Sequence, residues 1–464
     1  MNRLYRLFEA AARREPGRPV LCGRPGGSWI RFRDLREIVD RLGDRLDASS
    51  LRLEQIVVAS IGNRPAFVAA AIAVWSRGGV FLPVEEDLPE PELEVIRRAF
   101  RASILLRARG GMIAIVASEE RAARIPGAAL VRLTSGTTGS PKGVVVTADQ
   151  LIADSSAIIA RTDLRPDDLN LGVAPLNHTY GFDQIVVPLL LQGTPAILFR
   201  RPLPSLILKA LRTRRRVALA GVPYILDLLS RHADHAPRGT GLAICLSAGA
   251  SLPFRTAEAF RRRFGVGVRN LYGTSETGAI ASDDTPEADA PEGCVGRPLP
   301  GVRLTVDRRG FHHLPPGEGR IVVRGPAIAR GYAPIPTEDL SRGRFRTSDL
   351  GRIDEEGRLH LTGRISHLVN VSGKKVNPAE IERALLRLPG VKDAAALGVR
   401  DALRGERLEA WVAVESGGSR AEEIREALSR ALAPHKIPKA IHLVPEIPRT
   451  SRGKLDRTRL TGLT

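Results

Sequence analysis

Short apolar runs alternate with helical segments through the N-terminal two thirds of the chain, and this alternation limits the fold most. Gln55–Ile61 predicts a strand, Pro65–Val74 a helix and Val217–Gly221 another strand. Strands separated by helices are typical of α/β proteins, in which parallel strands are buried by helices on both faces. The predicted fold class is therefore α/β, with a large N-terminal domain built on parallel sheets.

The pattern changes twice towards the C-terminus. Short apolar runs between Gly and Pro turns over 296–363 predict a small β-subdomain. Beyond Arg364, strand-like and helical runs alternate over a short stretch, which predicts a small α+β domain. We therefore predict an N-terminal domain over residues 1–364 and a C-terminal domain over residues 365–464.

The charge of the chain favours anionic partners. The formal net charge of the 464 residues is +19, and only eight of the 70 basic residues are lysine. The arginines are scattered rather than gathered into one basic arm, and aromatic residues make up only 4%. We therefore expect attraction for a nucleotide, CoA or an acidic carrier protein, and no nucleic-acid partner, because stacking platforms and a recognition motif are missing.

The cysteines and the N-terminus favour a cytoplasmic location. Cys22, Cys245 and Cys294 are widely spaced and odd in number, which is typical neither of a disulfide framework nor of a zinc site. Met1–Glu15 predicts an amphipathic helix rather than a signal sequence. The most apolar run, Gln184–Phe199, is too short to span a bilayer, so no membrane span is expected.

A segment rich in Gly, Ser and Thr, Leu133–Val144, predicts a phosphate cradle. Glycine lets backbone amides approach an anion closely. Ser135, Thr137 and Thr138 add hydroxyl donors, and Lys142 adds a positive charge. The lysine lies between proline and glycine, so the ending of a P-loop is missing. An exposed flexible linker is the alternative interpretation.

Further motifs follow this segment in a fixed order, and together they resemble the adenylate-forming (AMP-binding) superfamily. This superfamily contains acyl- and aryl-CoA synthetases, luciferases and the adenylation domains of peptide synthetases. The resemblance extends over almost the whole chain and is carried by the following segments: Trp29–Leu35, Gly78–Pro83, Leu133–Val144, Asn270–Gly278, Gly317–Tyr332, Arg346–Gly351, Gly363–Arg364 and Pro448–Lys454.

The resemblance implies an ATP site with Mg²⁺. Tyr272 would stack on adenine, Glu276 would hold Mg²⁺, and Lys454 would reach the substrate carboxylate and the α-phosphate. The implied catalytic residues are Lys454, Glu276, Thr137 and His178. The implied nucleotide-binding residues are Thr134, Ser135, Gly136, Thr137, Thr138, Gly139 and Lys142 at the phosphates, Gly249, Ala250, Asn270, Tyr272, Gly273 and Thr274 at or near the adenine, and Asp349 and Arg364 at the ribose. Each has a structural alternative: Tyr272 as a core aromatic, Asp349 as a turn carboxylate, Lys454 as a surface lysine.

The resemblance also implies an acid pocket and a path for a pantetheine thiol. The acid would be lined by His178, Tyr180, Tyr224, Ala248 and Gly249, although His178 could equally be a hydrogen-bonded structural histidine. The resemblance also implies that the C-terminal domain is a mobile lid that carries Lys454. Gly373 and Lys375 would lie on the pantetheine path once this lid has turned.

Four positions depart from the family pattern. The hinge position, usually Asp or Lys, is Ser366, and His367 follows it in place of an acidic residue. Ser251 replaces the usual proline near adenine, and Asn370 replaces a common lysine. None of these changes removes a catalytic group.

The function that follows is that of an ATP-dependent acid–thiol ligase. It would convert a fatty or aryl carboxylic acid to acyl-AMP with release of pyrophosphate, and then transfer the acyl group to CoA. The alternative is an enzyme that loads the phosphopantetheine of an acyl carrier protein. Amino-acid activation would use the carboxylate of Asp183, but the spacing from Phe182 to Gly193 and the motif His178-Thr-Tyr-Gly resemble CoA ligases. The carboxyl groups of Glu276 and Asp349, with Lys454, disfavour a non-catalytic relative.

Overall fold

The structure is a computed structural model that describes residues 2–109, 112–118, 122–134, 141–213, 215–232, 240–283, 293–311, 314–335, 340–341, 343–371, 374–401, 405–415, 418–449 and 455–462. The helices of these ranges are α1 Arg3–Arg14, α2 Phe32–Ala48, α3 Pro65–Ser76, α4 Glu90–Ala99, α5 Ala148–Thr162, α6 Thr179–Gln192, α7 Pro204–Leu211, α8 Pro223–Arg231, α9 Phe254–Phe264, α10 Pro378–Leu386, α11 Ala421–Ala431 and α12 Arg457–Thr461.

The strands are β1 Pro19–Cys22, β2 Trp29–Arg31, β3 Ile56–Ser60, β4 Val80–Val84, β5 Ile104–Arg109, β6 Met112–Ala117, β7 Leu130–Thr134, β8 Lys142–Val146, β9 Leu169–Gly172, β10 Ala196–Leu198, β11 Val217–Gly221, β12 Leu242–Ser247, β13 Arg269–Thr274, β14 Gly278–Ser282, β15 Arg297–Pro298, β16 Arg303–Asp307, β17 Gly319–Arg324, β18 Gly331–Ala333, β19 Leu340–Ser341, β20 Arg344–Ile353, β21 Leu359–Arg364, β22 Val369–Val371, β23 Lys374–Val376, β24 Val391–Asp401, β25 Gly405–Val414 and β26 Ala440–Val444.

Contacts within the chain define two units. The first unit comprises Met1–Ala290, Gly296–Arg303 and Val323–Phe345, and the second comprises Pro291–Val295, Leu304–Val322 and Arg346–Thr464. This division groups much of the β-subdomain with the C-terminal residues. The boundary predicted between residue 364 and a mobile lid that begins at residue 365 stays a prediction.

The first unit contains two large sheets. One has the strand order β15-β14-β13-β12-β11-β9-β10-β1-β2, and its central strands from β13 to β1 are parallel. The other has the order β18-β8-β7-β4-β3-β5-β6, in which β8 is antiparallel to both of its neighbours, β7 and β18. Strand β3 is buried at every position, and α3 buries nearly all of its apolar residues, as expected where helices cover parallel strands.

A small five-stranded sheet has the order β16-β17-β20-β19, with β21 paired to β20, and most of its residues belong to the second unit. The second unit also contains a C-terminal sheet of β22 to β26. In the C-terminal sheet, β24 and β25 form a long antiparallel pair, and β26 lies parallel to β25. Helix α10 begins with Pro378, and its N-terminus is capped by the side chain of Asn377. The predicted α/β fold class, with parallel sheets and a small α+β C-terminal part, is confirmed.

Two further features concern the whole described chain. None of its helices is long and apolar enough to cross a lipid bilayer. Cys22, Cys245 and Cys294 are each buried and are not joined in disulfides.

Candidate active site

The carboxyl ends of parallel strands bring several predicted site segments to one edge of the nine-stranded sheet. His178 follows β9 and immediately precedes the first residue of α6, while Ala248–Ala250 follow β12 and Tyr272 lies near the end of β13. Strand β12 is in register with β13 through Ser247 and Asn270. Ligands of open α/β sheets bind at this edge, so the predicted adenine and acid residues converge where a ligand is expected.

Gly249 has open space in front of its backbone. Its φ is +85°, and among the described residues only Val222 Cγ1 lies within 4 Å of a Cβ atom placed there, at 3.9 Å. A side chain at this position would therefore be strained by the backbone and not by neighbours. Ala248, one residue earlier, is buried in an apolar cluster with Leu271 and the ring of Tyr180.

The two flanks of the Gly-rich segment are paired with each other. Thr134, at the end of β7, is opposite Lys142, at the start of β8. The hydroxyl of Thr134 donates to the carbonyl oxygen of Lys142 at 3.3 Å. The predicted phosphate-binding residues Ser135, Gly136, Thr137, Thr138 and Gly139 lie outside the described residues.

Glu276, the predicted metal ligand, lies in the turn between β13 and β14. Its Oε1 atom accepts a hydrogen bond from the hydroxyl of Tyr332 at 2.8 Å. A half-buried carboxylate fits Mg²⁺, which is usually bound by one or two protein carboxylates together with substrate phosphates. In the same turn, the hydroxyls of Thr274 and Thr277 are hydrogen-bonded at 3.1 Å.

Two predicted adenine residues have structural roles as well. The side-chain amide of Asn270 donates to the Asp283 carboxylate at 3.1 Å, and its backbone N–H donates to the same oxygen at 3.1 Å. Gly273 packs so closely on β14 that a Cβ atom would overlap the carbonyl of Gly278. Tyr272, which lies between Asn270 and Gly273 in the sequence, is half-buried. Asn270 and Gly273 therefore hold the segment that carries Tyr272.

A buried cluster of three ionisable residues, Arg132, Asp154 and Asp183, joins the two sheets of the first unit. The Nη2 atom of Arg132, on β7, lies 2.6 Å and 2.7 Å from the two oxygens of Asp183, on α6. Asp154, on α5, accepts a hydrogen bond from the backbone N–H of Ala279 at 2.8 Å. Burial, and next the charge of Asp183, raise the pKa of Asp154 well above its usual range. The raised pKa of Asp154 favours its protonated form, while Asp183 pairs with Arg132.

The residues predicted to line the acid pocket differ in exposure. The hydroxyl oxygen of Tyr180 is buried and has no hydrogen-bond partner among the described residues, although its ring is half-buried. Tyr224, on α8, is exposed. The ring nitrogen Nε2 of His178 lies 4.0 Å from Glu85 Oε1.

The second unit holds the predicted ribose residues. Asp349, on β20, is opposite Arg364, on β21, and its Oδ1 atom lies 2.8 Å from Nε of Arg364. Asp349 is buried while Arg364 is half-exposed. Lys375 lies on β23. Gly373 and Lys454 lie outside the described residues, so their roles stay predictions.

Sequence reasoning missed three residues near these groups: Arg132, Asp154 and Tyr332. Tyr332 was part of a motif but had no role. No local pattern marks Arg132 or Asp154, because the partners lie far away in the sequence.

Comparison with known proteins identifies the family. The AMP-binding enzyme family matches residues 8–132 and 117–333, and the AMP-binding enzyme C-terminal domain matches residues 380–454. The chain belongs to the AMP-binding enzyme family.

Its relatives include several acid–CoA ligases. The chain is 30% identical to a feruloyl-CoA synthase of Amycolatopsis sp over 93% of each protein. It is also 30% identical to the sulfoacetate–CoA ligase of Cupriavidus necator, over 98% of this chain and 97% of that one. The named acids differ from relative to relative.

Solved structures also match the fold of this chain. ATP-bound MatB from Rhodopseudomonas palustris superposes with a TM-score of 0.84 at 26% identity, covering 100% of this chain and 99% of that one. The o-succinylbenzoate CoA synthetase of Bacillus subtilis, solved with ATP and a magnesium ion, gives 0.82 at 25% identity, covering 98% and 99%. The predicted resemblance is confirmed, and so is the prediction of an enzyme of the acid–thiol ligase class.

Proposed function

We propose that this enzyme joins a carboxylic acid lacking an α-amino group to CoA in two steps. In the first, an oxygen of the acid attacks the α-phosphorus of ATP, the bond to pyrophosphate breaks, and acyl-AMP forms. In the second, the CoA thiol loses its proton and attacks the acyl carbon, and AMP leaves. The observation that carries this proposal is the pairing that holds Glu276, through Tyr332, beside the strand that starts at Lys142.

The residues of the first unit would bind the nucleotide. Lys142 and the segment from Thr134 would neutralise the β- and γ-phosphates, and Tyr272 would cover the adenine. Glu276 would hold Mg²⁺, which when bound would offset the charge of the phosphates. Thr137 is proposed among the phosphate donors, and His178 at the acid.

The residues of the second unit would serve the ribose and the two reactions. Asp349 would accept hydrogen bonds from the ribose hydroxyls, with Arg364 next to it. Lys454 would draw the acid and the α-phosphate together by neutralising both anions. Gly373 and Lys375 would border the pantetheine arm in the thiol step, after a rotation about Ser366.

The absence of an α-amino group is supported by the environment of Asp183. Both of its carboxylate oxygens already face Arg132, and both side chains are more than 90% buried. Drawing Asp183 away to hold an ammonium group would leave a buried guanidinium unpaired, which is costly. We therefore disfavour amino acids as substrates.

The acid itself is proposed to be an aryl or acyl acid with a polar substituent. The buried hydroxyl of Tyr180 has no partner among the described residues, and an unpaired buried hydroxyl costs free energy. A hydroxyl or ether oxygen on the acid could satisfy it. The apolar side chains around the ring, such as Ile158 and Leu271, would contact the rest of the acid.

CoA is proposed as the acceptor because the relatives that match over nearly their full length are CoA ligases. A carrier protein is the second candidate. It is favoured by one relative, a probable non-canonical nonribosomal peptide synthetase from Salinispora arenicola, which is 30% identical over 98% of this chain and 6% of that protein. A cytoplasmic location stays a prediction and rests on the cysteine pattern.

Pyrophosphate release with a panel of fatty, aryl and amino acids tests the proposal. Each acid is offered with no thiol, with CoA, and with a phosphopantetheinylated carrier protein. We expect pyrophosphate release with non-amino acids and a thioester on CoA. A thioester on the carrier protein alone would favour the second candidate. Activity confined to amino acids would overturn the argument from Asp183.

A further inference from the structure

Residues 328–333 connect Glu276 to the strand that follows the Gly-rich segment. The backbone N–H of Ala329 donates to the carbonyl oxygen of Glu276 at 2.7 Å. The hydroxyl of Tyr332 donates to the carboxylate of the same residue at 2.8 Å. Glu276 is therefore held at both its main chain and its side chain by one short segment.

The other side of this segment is fixed to β8. Tyr332 is paired with Val144, and Ala333 is paired with Gly143, one residue beyond Lys142. The backbone N–H of Arg330 donates to the carbonyl of Val145 at 2.9 Å. Because β8 lies between β7 and β18 in the sheet, it has little freedom to shift. Tyr332 therefore fixes the position of the Glu276 carboxylate relative to the strand that begins at Lys142.

A second anchor lies at the start of the segment. The side-chain amide of Gln150, in the first turn of α5, donates to the carbonyl oxygen of Ile328 at 2.6 Å. Gln150 also accepts from the backbone N–H of Thr147 in a capping box. The segment is therefore held to a helix at one end and to a sheet at the other.

We propose that Tyr332 is a positioning residue for the metal-binding carboxylate. Its hydroxyl engages Oε1 of Glu276 and fixes the side-chain rotamer, so that Oε2 is left for Mg²⁺ bound to the nucleotide phosphates. The inference rests on the proposed function, because it takes Glu276 as the metal ligand. Hydrogen-bond partners that orient a metal ligand commonly change metal affinity by about 10- to 100-fold when they are removed.

The test is the variant Tyr332→Phe, which removes the hydroxyl and keeps the ring. Mn²⁺, which prefers the same oxygen ligands as Mg²⁺, is titrated by electron paramagnetic resonance into the full-length protein with the inert analogue α,β-methylene-ATP. We expect Mn²⁺ binding to weaken by about tenfold. Binding of the analogue in the presence of a chelator should stay within about twofold of wild type. The reason is that loss of a hydrogen bond that only positions the metal ligand should not affect binding when no metal is present. Equal weakening with and without metal would indicate a structural role and overturn the proposal.

Tyr5→Phe is the matched control, since it makes the same chemical change on α1, which carries none of the proposed site residues. It should leave Mn²⁺ binding unchanged. Unchanged Mn²⁺ affinity in Tyr332→Phe would also overturn the proposal.

Glu276→Gln separates this inference from the proposed function. If Glu276→Gln leaves Mn²⁺ affinity at the wild-type value, the metal role of Glu276 fails, and the proposed function loses its metal ligand. If Glu276→Gln weakens binding but Tyr332→Phe does not, only the positioning role fails. In the Glu276→Gln background, Tyr332→Phe should cause little further loss, because both act through one carboxylate. A full additional loss in the double variant would contradict that shared route.

Discussion

The Nη2 atom of Arg132 faces both carboxylate oxygens of Asp183, at 2.6 Å and 2.7 Å, in the interior of the first unit. Arg132 lies two residues before Thr134, and Asp183 lies five residues after His178. The ion pair therefore ties the strand leading to the proposed phosphate segment to the helix that begins at the proposed acid pocket. A change in either partner is expected to affect stability first and substrate binding second.

Replacement of Asp183 by Asn should be strongly destabilising. It leaves the buried Arg132 guanidinium without its counter-charge, which typically costs about 3–5 kcal/mol. Urea unfolding followed by fluorescence measures the change. Asp44→Asn is the control, since Asp44 pairs with Arg77 at the surface and its loss should cost less than about 1 kcal/mol. Similar costs for the two variants would contradict the buried pairing.

Asp154 should make stability depend on pH. Its raised folded-state pKa means that the folded protein keeps a proton that the unfolded chain releases above its ordinary pKa. The stabilisation is therefore full at acidic pH and is lost as pH rises towards the folded-state pKa. Asp154→Asn mimics the protonated acid and can still accept from Ala279, so the variant should lose less stability than wild type as pH rises.

Urea midpoints measured across the pH range in which the protein stays folded check this slope. Asp44→Asn again serves as the control, because it makes the same chemical change at the protein surface. Parallel curves for wild type and Asp154→Asn would contradict a protonated Asp154.

Tyr180→Phe should change which acids are preferred. If the acid brings a polar group to the buried hydroxyl, its loss should lower kcat/KM for hydroxylated acids relative to unsubstituted ones by an amount corresponding to about 0.5–1.5 kcal/mol. The KM for ATP should stay nearly constant. Competition assays between paired acids, with and without the hydroxyl, measure the ratio. An unchanged ratio would leave Tyr180 as a packing residue.

Gly249→Leu should favour shorter acids by filling the open space in front of the backbone. Any side chain at this positive φ carries backbone strain, so Gly249→Ala is needed as the control for strain alone. We expect both variants to lose some stability, but only the leucine variant to shift the chain-length profile. Identical profiles for the two variants would refute the placement of Gly249 in the pocket.

Lys454→Ala should impair the first step far more than the second. Loss of a preorganised charge donor costs about 2–4 kcal/mol in the transition state. Pyrophosphate release measures the first step, and conversion of supplied acyl-AMP to thioester measures the second. Lys439→Ala, at an exposed position of the same C-terminal region, should leave both unchanged. Adenylation within a few-fold of wild type would remove Lys454 from its proposed role.

The pattern of apolar residues within a segment was sufficient to predict several helices and strands. The strand Val217–Gly221 has the bounds predicted for it, because a run of small apolar residues between parallel neighbours is buried on both faces. The apolar run 184–192, which is typical of a helix, is part of α6, which starts earlier at Thr179. The order of the motifs was likewise sufficient to predict the family.

Long-range pairing was not accessible to the same reasoning. Lys142–Val146 is strand β8, and it is paired with β7 and with the distant β18, a pairing that no local pattern indicates. No element was predicted over 90–117, where α4, β5 and β6 occur. The contact of Tyr332 with Glu276 depends on that same distant pairing, so its role could not be seen in the motif alone.

The three buried cysteines have a practical consequence for following the enzyme in action. Burial raises the pKa of the Cys245 thiol, and Cys22 and Cys294 are also shielded, so thiol-reactive dyes should find no native target in the folded protein. A cysteine pair introduced at Arg261 and Glu426, one exposed position in each unit, would then carry the only labels. Energy transfer between the two dyes could report the proposed rotation during turnover without first removing any native residue.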